Sequence, residues 1–544
     1  MSQKYYVTTP IYYINDKPHI GSTYTTVAAD VLARSHRLRG DKTFFLTGTD
    51  ENSQKSMEAA EKSGKDINVY LEEMAIIWEN TWKELGITFD DFIRTSEERH
   101  HKAVNRFWKA VEASGDIYKD TYERHYCVGC EDFKTDSELN EDDRCPLHPN
   151  KDLELVQEEN YFFKASAYKD DILQLFHKQQ DFVQPVKRLN EIRSYVKDGF
   201  ADFSISREAK KVSCGIPVPG DDSQRIYVWF DALINYMSAV GYGTDDELFK
   251  KWWPANLHLV GKDIIKFHCA LWPAMIMSAA KNDPLLQNED GTPKLPEQIF
   301  AHGFFTIEGQ KMSKSIGNVI DPLELAVEYP FDVIRYFFFR EIGFGNDGDF
   351  NRARIAERYQ SDLANTLGNL LNRAINMSRK YFDNRVPTCD TSVKTWDVGS
   401  LLSRKEGGRA TWDVEMVDTL WQQVEEYYDS ARIDLALEAI WNGENASLIL
   451  ANRLVEETQP FKLIKEDPEK TALVLYTLLE FLRNVAWMIE PVMPNISADI
   501  IKQLGQDPKS EISQNNFANL KKWGGLEPGS DLPEPKILFP RLGE

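Results

Sequence analysis

The sequence predicts an α/β protein: a doubly wound, parallel-sheet (Rossmann-like) domain, split by an insertion with zinc-ligand spacing and followed by an α-helical bundle. Three observations predict it. A β-rich run, Tyr5-Tyr6-Val7-Thr8-Thr9, leads through a turn into an amphipathic run, and a second β-rich run, Thr43-Phe44-Phe45-Leu46-Thr47, follows. That is the strand–helix–strand order of a parallel sheet. In the middle lie Cys127-Val128-Gly129-Cys130 and Cys145-Pro146-Leu147-His148. Beyond about residue 356 the apolar spacing turns helical.

Composition marks a soluble globular chain. With 42% hydrophobic and 28% charged residues, it has room for about three to four domains. A formal net charge of −22 repels a polyanion at long range, so nucleic acid would need a local basic face. Lys187, Arg188, Arg193, Lys197, Arg207, Lys210 and Lys211 offer one, and Arg373, Arg379 and Lys380 another. Only Lys4 precedes the first strand, so no secretory leader is expected. The longest uncharged apolar run, Cys269 to Ala280, is too short to cross a bilayer. Six cysteines in so long a chain make no disulfide framework, which points to a reducing, cytoplasmic setting.

Residues 1–115 read as the first half of the α/β domain. The turn after the first strand runs from Pro10 through Pro18-His19-Ile20-Gly21-Ser22. A helix is expected from about Thr23 to Leu38, with Val27, Ala28, Val31, Leu32 and Leu38 on one stripe and Gly40 as the stop. Ligands of such sheets sit beyond the carboxyl ends of the strands. His19 and Gly21 therefore stand where a phosphate would meet the helix start. The plainer alternative is a strand-to-helix turn capped by Ser22. Asp50 ends the second strand opposite that turn. Its carboxylate either holds a substrate ammonium group or caps the helix Gln54 to Ser63.

Residues 116–210 form the insertion. Its C-x2-C-x14-C-x2-H pattern, Cys127, Cys130, Cys145 and His148, suits one tetrahedral Zn2+. All four positions are filled by protein, so the expected ion is structural. Gly129 is expected to help the turn that aims the sulfurs inward. The α/β pattern resumes over 211–295 with two strand-to-helix segments, Arg225 to Tyr236 and Leu257 to His268. Their aromatic residues read either as core or as a pocket. Residues 296–355 carry Lys311-Met312-Ser313-Lys314-Ser315 between Gly309 and Gly317, a cationic loop suited to a triphosphate or simply a solvated one. From 356 to 522 helices are expected over Asp362 to Asp383, Trp412 to Asn442, Ala446 to Glu457 and Lys470 to Ala498. In the first, Leu363, Leu367, Leu370, Ala374, Met377 and Tyr381 share a face, and Asn369 and Arg373 lie one turn apart on its flank. Residues 523–544 form a Gly/Pro-rich tail.

An early Pro-x-His-Ile-Gly with a late Lys-Met-Ser-Lys-Ser resembles the two signature motifs of the class I aminoacyl-tRNA synthetases. Ser22 stands where that class usually has a second His. Gly48-Thr49-Asp50-Glu51 is similar to the family's Gly-Thr-Asp-Glu-His-Gly run, with Asn52 and Ser53 replacing its last two residues. Within the class, the methionyl-tRNA synthetase family is matched over nearly the whole chain. The resemblance implies a methionine pocket of Ile11, Tyr13, Trp229, Ala232, Leu233, Tyr236, Ile264, Phe267 and His268, with Asp50 on the amino group. It implies ATP contacts from His19, Gly21, Gly261, Asp263, Lys311 and Lys314, with Ser22 and Arg207 near the reacting atoms. It implies an anticodon-reading bundle using Asn369, Arg373 and Phe461, the last where the family has a stacking tryptophan. The expected partners are ATP with Mg2+, L-methionine and tRNA(Met), including the initiator, for a monomer that binds no membrane. A thioether suits aromatic walls, and a Tyr236 hydroxyl is expected to donate to it. Synthetases for valine, isoleucine or leucine need a large editing insertion absent here, and the cysteine enzyme places zinc in its amino-acid pocket. A small-molecule nucleotidylyltransferase would have no use for the helical domain, and a noncatalytic RNA-binding protein none for His19 and the two lysines.

Overall fold

Strand β1 (Lys4–Thr8) is the axis of a seven-stranded sheet in the computed structural model. Residues 3–130, 132–134, 139–140, 142–146, 148, 151–212, 214–312, 317–389, 395–396, 412–444, 446–514 and 516–541 are described. The other strands are β2 (Tyr12–Tyr13), β3 (Lys42–Asp50), β4 (Asp91–Arg94), β5 (Val183–Gln184), β6 (Leu257–Gly261) and β7 (Gln298–His302). They run in the order β4-β3-β1-β6-β7-β5, all parallel, and β2 takes the edge of β3 beyond the end of β1. The chain leaves β1 towards β3 on one side and reaches β6 on the other only after about 200 residues, so the crevice between their carboxyl ends is the switch point where such sheets bind ligands. All five residues of β6 are buried, as expected of a parallel strand covered on both faces.

The expected first helix is α1 (Ile20–Leu38), three residues longer at its start than the apolar stripe suggested. It stops where Gly40 bonds back to Arg37 O. The first part of the insertion is an antiparallel sheet in which Ile117–Cys127 pairs with Glu154–Phe163, whereas its later Val183–Gln184 is β5 and joins the edge of the parallel sheet. One expectation is corrected here. The strand leading to Trp229, Asp221–Ile226, does not join the parallel sheet; it pairs antiparallel with Ser206–Glu208 and Pro217–Val218. Its alternating burial fits that half-exposed setting.

Phe305–Ile307 and Gln310–Lys311 form a hairpin whose turn residues, Glu308 and Gly309, both take positive φ, the geometry of a tight two-residue connection. Helix α2 (Phe331–Glu341) follows. The helical region departs from the expected spans in three places. Residues Tyr359–Gly368 wind as π-turns before α3 (Asn369–Tyr381). The run to Asn442 breaks at Ala431, which takes φ 55°. The run to Ala498 breaks into α4 (Pro468–Ile489) and α5 (Pro494–Gln503), because Pro491 and Pro494 cannot continue a helix. Leu363, Leu367, Leu370 and Ala374 are buried as expected, with Met377 and Tyr381 packed beside them. Helix α4, which carries Glu480 and Arg483, is long and apolar enough to cross a membrane by length and composition alone, and 94% of its apolar window is buried inside the protein.

Candidate active site

His19 is the N-cap of α1, with extended backbone (φ −134°, ψ 170°). Its Nδ1 accepts the Gly21 N–H at 3.0 Å, which leaves the neutral ring's proton on Nε2. Ser22 completes a reciprocal capping box: its Oγ accepts the His19 N–H at 3.1 Å and donates to His19 O at 2.8 Å. The hydroxyl expected among the reacting groups is thus engaged on both sides by the turn. A Cβ on Gly21 would lie 2.9 Å from His19 Cε1 and 3.8 Å from Met312 Cε. Met312, in the cationic loop, therefore rests against the helix start. The Ile20 N–H also donates to Ile320 O at 3.0 Å. Two motifs some 290 positions apart in the chain meet here, beyond the end of β1. Of Lys311 the backbone is placed, paired with Thr306; Ser313, Lys314 and Ser315 lie outside the described residues. Ser22→Ala is expected to cost about 1 kcal/mol of stability, read by thermal unfolding, and to leave catalysis within a few-fold.

Asp50 ends β3, 3% exposed and in register with Tyr13. It is not the cap of the next helix, because Ser53 fills that role with a bond from Ser56 N–H. Instead Asp50 Oδ1 accepts the Asn52 N–H at 3.2 Å, and Asn52 Nδ2 donates to Asp231 Oδ2 at 2.8 Å. Asp231 is fully buried, and its Oδ1 has no hydrogen-bond partner among the described residues. Burial pushes its carboxyl well above the usual range.

Ile11, Tyr13 and Ile264 pack on the same apolar cluster as Trp229, Ala232, Leu233, Tyr236 and Phe267. Trp229 and Phe267 stack at 3.7 Å and 4°, so no aliphatic chain fits between the two rings in this state. His268 is buried, with Nδ1 3.1 Å from Ile264 O and Nε2 2.8 Å from the Tyr236 hydroxyl. The carbonyl fixes the proton on Nδ1, so Tyr236 donates to His268. The expected donation from Tyr236 to a thioether is therefore replaced by one to the imidazole, and the hydroxyl presents lone pairs. Desolvation lowers His268 to about 4, which keeps it neutral and able to accept.

Gly261 ends β6 and Asp263 follows it at the same crevice. The Asp263 carboxylate lies against Gly261, 2.6 Å from where a Cβ would stand. Arg207 is buried and forks onto Glu158 at 3.0 and 3.2 Å, with its guanidinium 4.4 Å over the Tyr126 ring. Lys211 joins Glu158 at 2.5 Å. Arg207 shares a narrow crevice with Asn52 and Gln54. Two grooves of about 700 and 750 Å³ among the described residues are lined by none of these residues.

The insertion gathers the Cys3His group that its spacing predicts, able to hold one metal ion. Cys130 Sγ is 3.5 Å from Cys145 Sγ and 3.3 Å from His148 Nδ1, and Cys127 Sγ is 3.8 Å from His148 Nδ1. The four ligand atoms lie within 4.8 Å of one another. Edges of roughly 3.5–3.8 Å are those of a tetrahedron with Zn–S and Zn–N bonds of usual length. Both pairs close the same turn, Cys130 N–H to Cys127 O and His148 N–H to Cys145 O. A Cβ on Gly129 would lie 2.4 Å from His148 Cγ, so the glycine is needed for the imidazole's approach.

The family described as tRNA synthetases class I (M) matches residues 5–152 and 140–375, and the anticodon binding domain of methionyl tRNA ligase matches 407–544. The methionine–tRNA ligase of Thermotoga maritima is 42% identical over 99% of this chain and 80% of its own. The chain belongs to the methionine–tRNA ligase family. The Rickettsia bellii ligase is 40% identical, with 100% of both chains covered. The solved Mycobacterium tuberculosis methionyl-tRNA synthetase in complex with methionyl-adenylate is 38% identical, with a TM-score of 0.87 over 99% of this chain and 100% of that one.

The helical residues picked from family resemblance sit apart from the crevice. Asn369 is exposed at the start of α3, Arg373 is half-buried one turn on, and Phe461 is 47% exposed on the short helix Pro460–Leu463. Asn52, Asp231, Glu158 and Met312 were not singled out in the sequence. Asp231 had left a signal, as the one charge inside the apolar run Val228 to Ile234. Glu158 had left none.

Proposed function

We propose that this chain activates methionine with ATP and transfers it to the 3′ end of tRNA(Met), initiator and elongator, for translation. The observation that carries this reading is the convergence of the His19-Ile20-Gly21 turn and the Met312 loop beyond the end of β1. In the first step a methionine carboxylate oxygen attacks the α-phosphorus and diphosphate leaves. In the second, a terminal ribose hydroxyl of tRNA attacks the acyl carbon and AMP leaves. No protein nucleophile is needed, so catalysis rests on positioning and charge stabilisation. His19, with its proton on Nε2, donates to the phosphate chain. Gly21 lets that chain approach the backbone. Lys311 and Lys314 stabilise the β- and γ-phosphates, with Mg2+ entering as part of the ATP substrate. Gly261 and Asp263 meet the ribose. Asp50 holds the ammonium group, and Arg207, fixed by Glu158, orders the wall beside it. Ile11, Tyr13, Trp229, Ala232, Leu233, Tyr236, Ile264, Phe267 and His268 surround the side chain once Trp229 and Phe267 part. Asn369, Arg373 and Phe461 read the anticodon.

The division of labour follows the chain. Residues 1–115 and 211–295 hold the chemistry, 116–210 the insertion, 296–355 the base of the cationic loop, 356–522 the anticodon bundle and 523–544 a tail. The protein works as a cytoplasmic monomer. ATP–diphosphate exchange across all twenty amino acids, then charging of an RNA with a CAU anticodon, tests the reading. Exchange with methionine alone is expected, and its absence would overturn the reading.

The Cys127, Cys130, Cys145 and His148 cluster holds one Zn2+ that stiffens the insertion. Cys145→Ser is expected to weaken zinc by more than about 100-fold, the scale already reached when a metal site loses an outer-sphere partner. Metal content per chain and unfolding with and without chelator check it.

A further inference from the structure

Helix α1 is capped by His19, and its Asp30, three turns on, is fully buried. Asp30 accepts from Thr88 N–H at 2.7 Å and from Arg34 Nε at 2.8 Å, and pairs with Arg335 Nη2 at 2.7 Å. Arg335 belongs to α2, the helix after the cationic loop, and is 1% exposed. Its guanidinium reaches on into the helical bundle, donating Nε to Val492 O at 2.7 Å and Nη2 to Pro491 O at 2.9 Å. One turn earlier on α2, Asp332, 3% exposed, accepts Ile496 N–H at 2.9 Å and Asn495 Nδ2 at 3.1 Å. The start of α5 has no side-chain cap of its own, so Asp332 caps it from another helix. Arg34 adds a longer contact to Glu490 at 3.7 Å. Arginine neighbours hold the Asp30 carboxyl down at about 2 although burial opposes them, so it stays ionised.

Two buried charges of α2, Asp332 and Arg335, are thus spent mostly on one corner, residues 491–496, between α4 and α5, and Asp30 holds Arg335 in place from α1. An apolar contact of similar size would hold the two parts together yet let them slide. Directed bonds of 2.7–2.9 Å fix their register, and register is the best-attested use of buried ionic groups. α3, which carries Asn369 and Arg373, packs on α4.

We propose that Asp332 and Arg335 are positioning residues that set the distance and angle between the His19 turn and the anticodon-reading face, so that a bound tRNA spans both correctly. The proposal rests on the ligase reading above. Asp332→Asn keeps an acceptor for Ile496 N–H and loses the charge; Arg335→Lys keeps the charge and loses the fork onto two carbonyls. Three rates are measured for each: ATP–diphosphate exchange, charging of full-length tRNA, and charging of a short hairpin carrying only the acceptor end. Exchange and hairpin charging are expected to stay within about 2-fold of the parent, the scatter of uncoupled sites. Full-length charging is expected to fall at least about 5-fold, chiefly in kcat, and preference for the CAU anticodon to shrink by the same factor. Equal losses with hairpin and full-length RNA would overturn the proposal, as would an unchanged anticodon preference. Failure of the parent protein to exchange with methionine would instead remove the reading beneath it. Should Arg335→Lys not fold, Asp332→Asn alone decides.

Discussion

Lys314→Ala is expected to slow adenylate formation by about 10²–10³-fold, the loss typical of removing one donor aimed at developing charge, and to change KM for methionine by less than about 3-fold. The asymmetry follows from where charge builds. As the bond to the α-phosphorus breaks, negative charge grows on the leaving diphosphate, and a cation there binds the transition state more tightly than ATP itself. An interaction made mainly in the transition state lowers kcat and leaves KM. On the proposed reading methionine binds at the other end of the crevice, so its affinity is not expected to report on this lysine. The loop is anchored on both sides of its basic residues: Gln310–Lys311 is a strand, Met312 rests on Gly21, and Ile320 O holds the Ile20 N–H. Lys311→Ala is expected to act in the same direction. Rapid-quench measurement of adenylate formation separates the two constants. Equal losses in kcat and in methionine affinity would remove this role.

The parallel core was legible because its signals are local. β1, α1 and β3 each carry their own period, and the His19 to Ser22 turn and both Cys pairs fall within a few residues. What was not legible depends on partners far away in the chain. The Asn52–Asp231 bond spans 179 positions, and Asp332 caps a helix 164 positions on. Asp221–Ile226 reads as a strand, but nothing in Asp-Asp-Ser-Gln-Arg-Ile says which sheet it joins. The π-turns before Asn369 leave the same apolar face buried, so the spacing of leucines predicted the face and missed the winding. Ser22 is a middle case. Its motif position pointed to chemistry, whereas its hydroxyl closes a capping box that local spacing alone was enough to reveal.

Asp50→Asn is expected to lower kcat/KM for methionine by about 10²-fold or more, since removing one partner of a buried charge pair costs about 2–5 kcal/mol. The substitution keeps the shape of the side chain and the bond from Asn52 N–H. What it removes is the charge, at a site 3% exposed where water does little to screen it. The ammonium group takes no part in either bond change, so the loss is expected mainly in KM. Asp231 does not substitute for Asp50, because it lies fully buried and burial raises its carboxyl well above the usual range, disfavouring the charge an ammonium partner needs. A substrate lacking the amino group separates this account from a general loosening of the pocket. With the parent enzyme that analogue loses a contact as large as the one Asp50→Asn removes. With the variant, deleting the amino group has little left to cost. The two losses together are then much smaller than their sum, the signature of two groups in direct contact. Losses that simply add would place the ammonium group elsewhere.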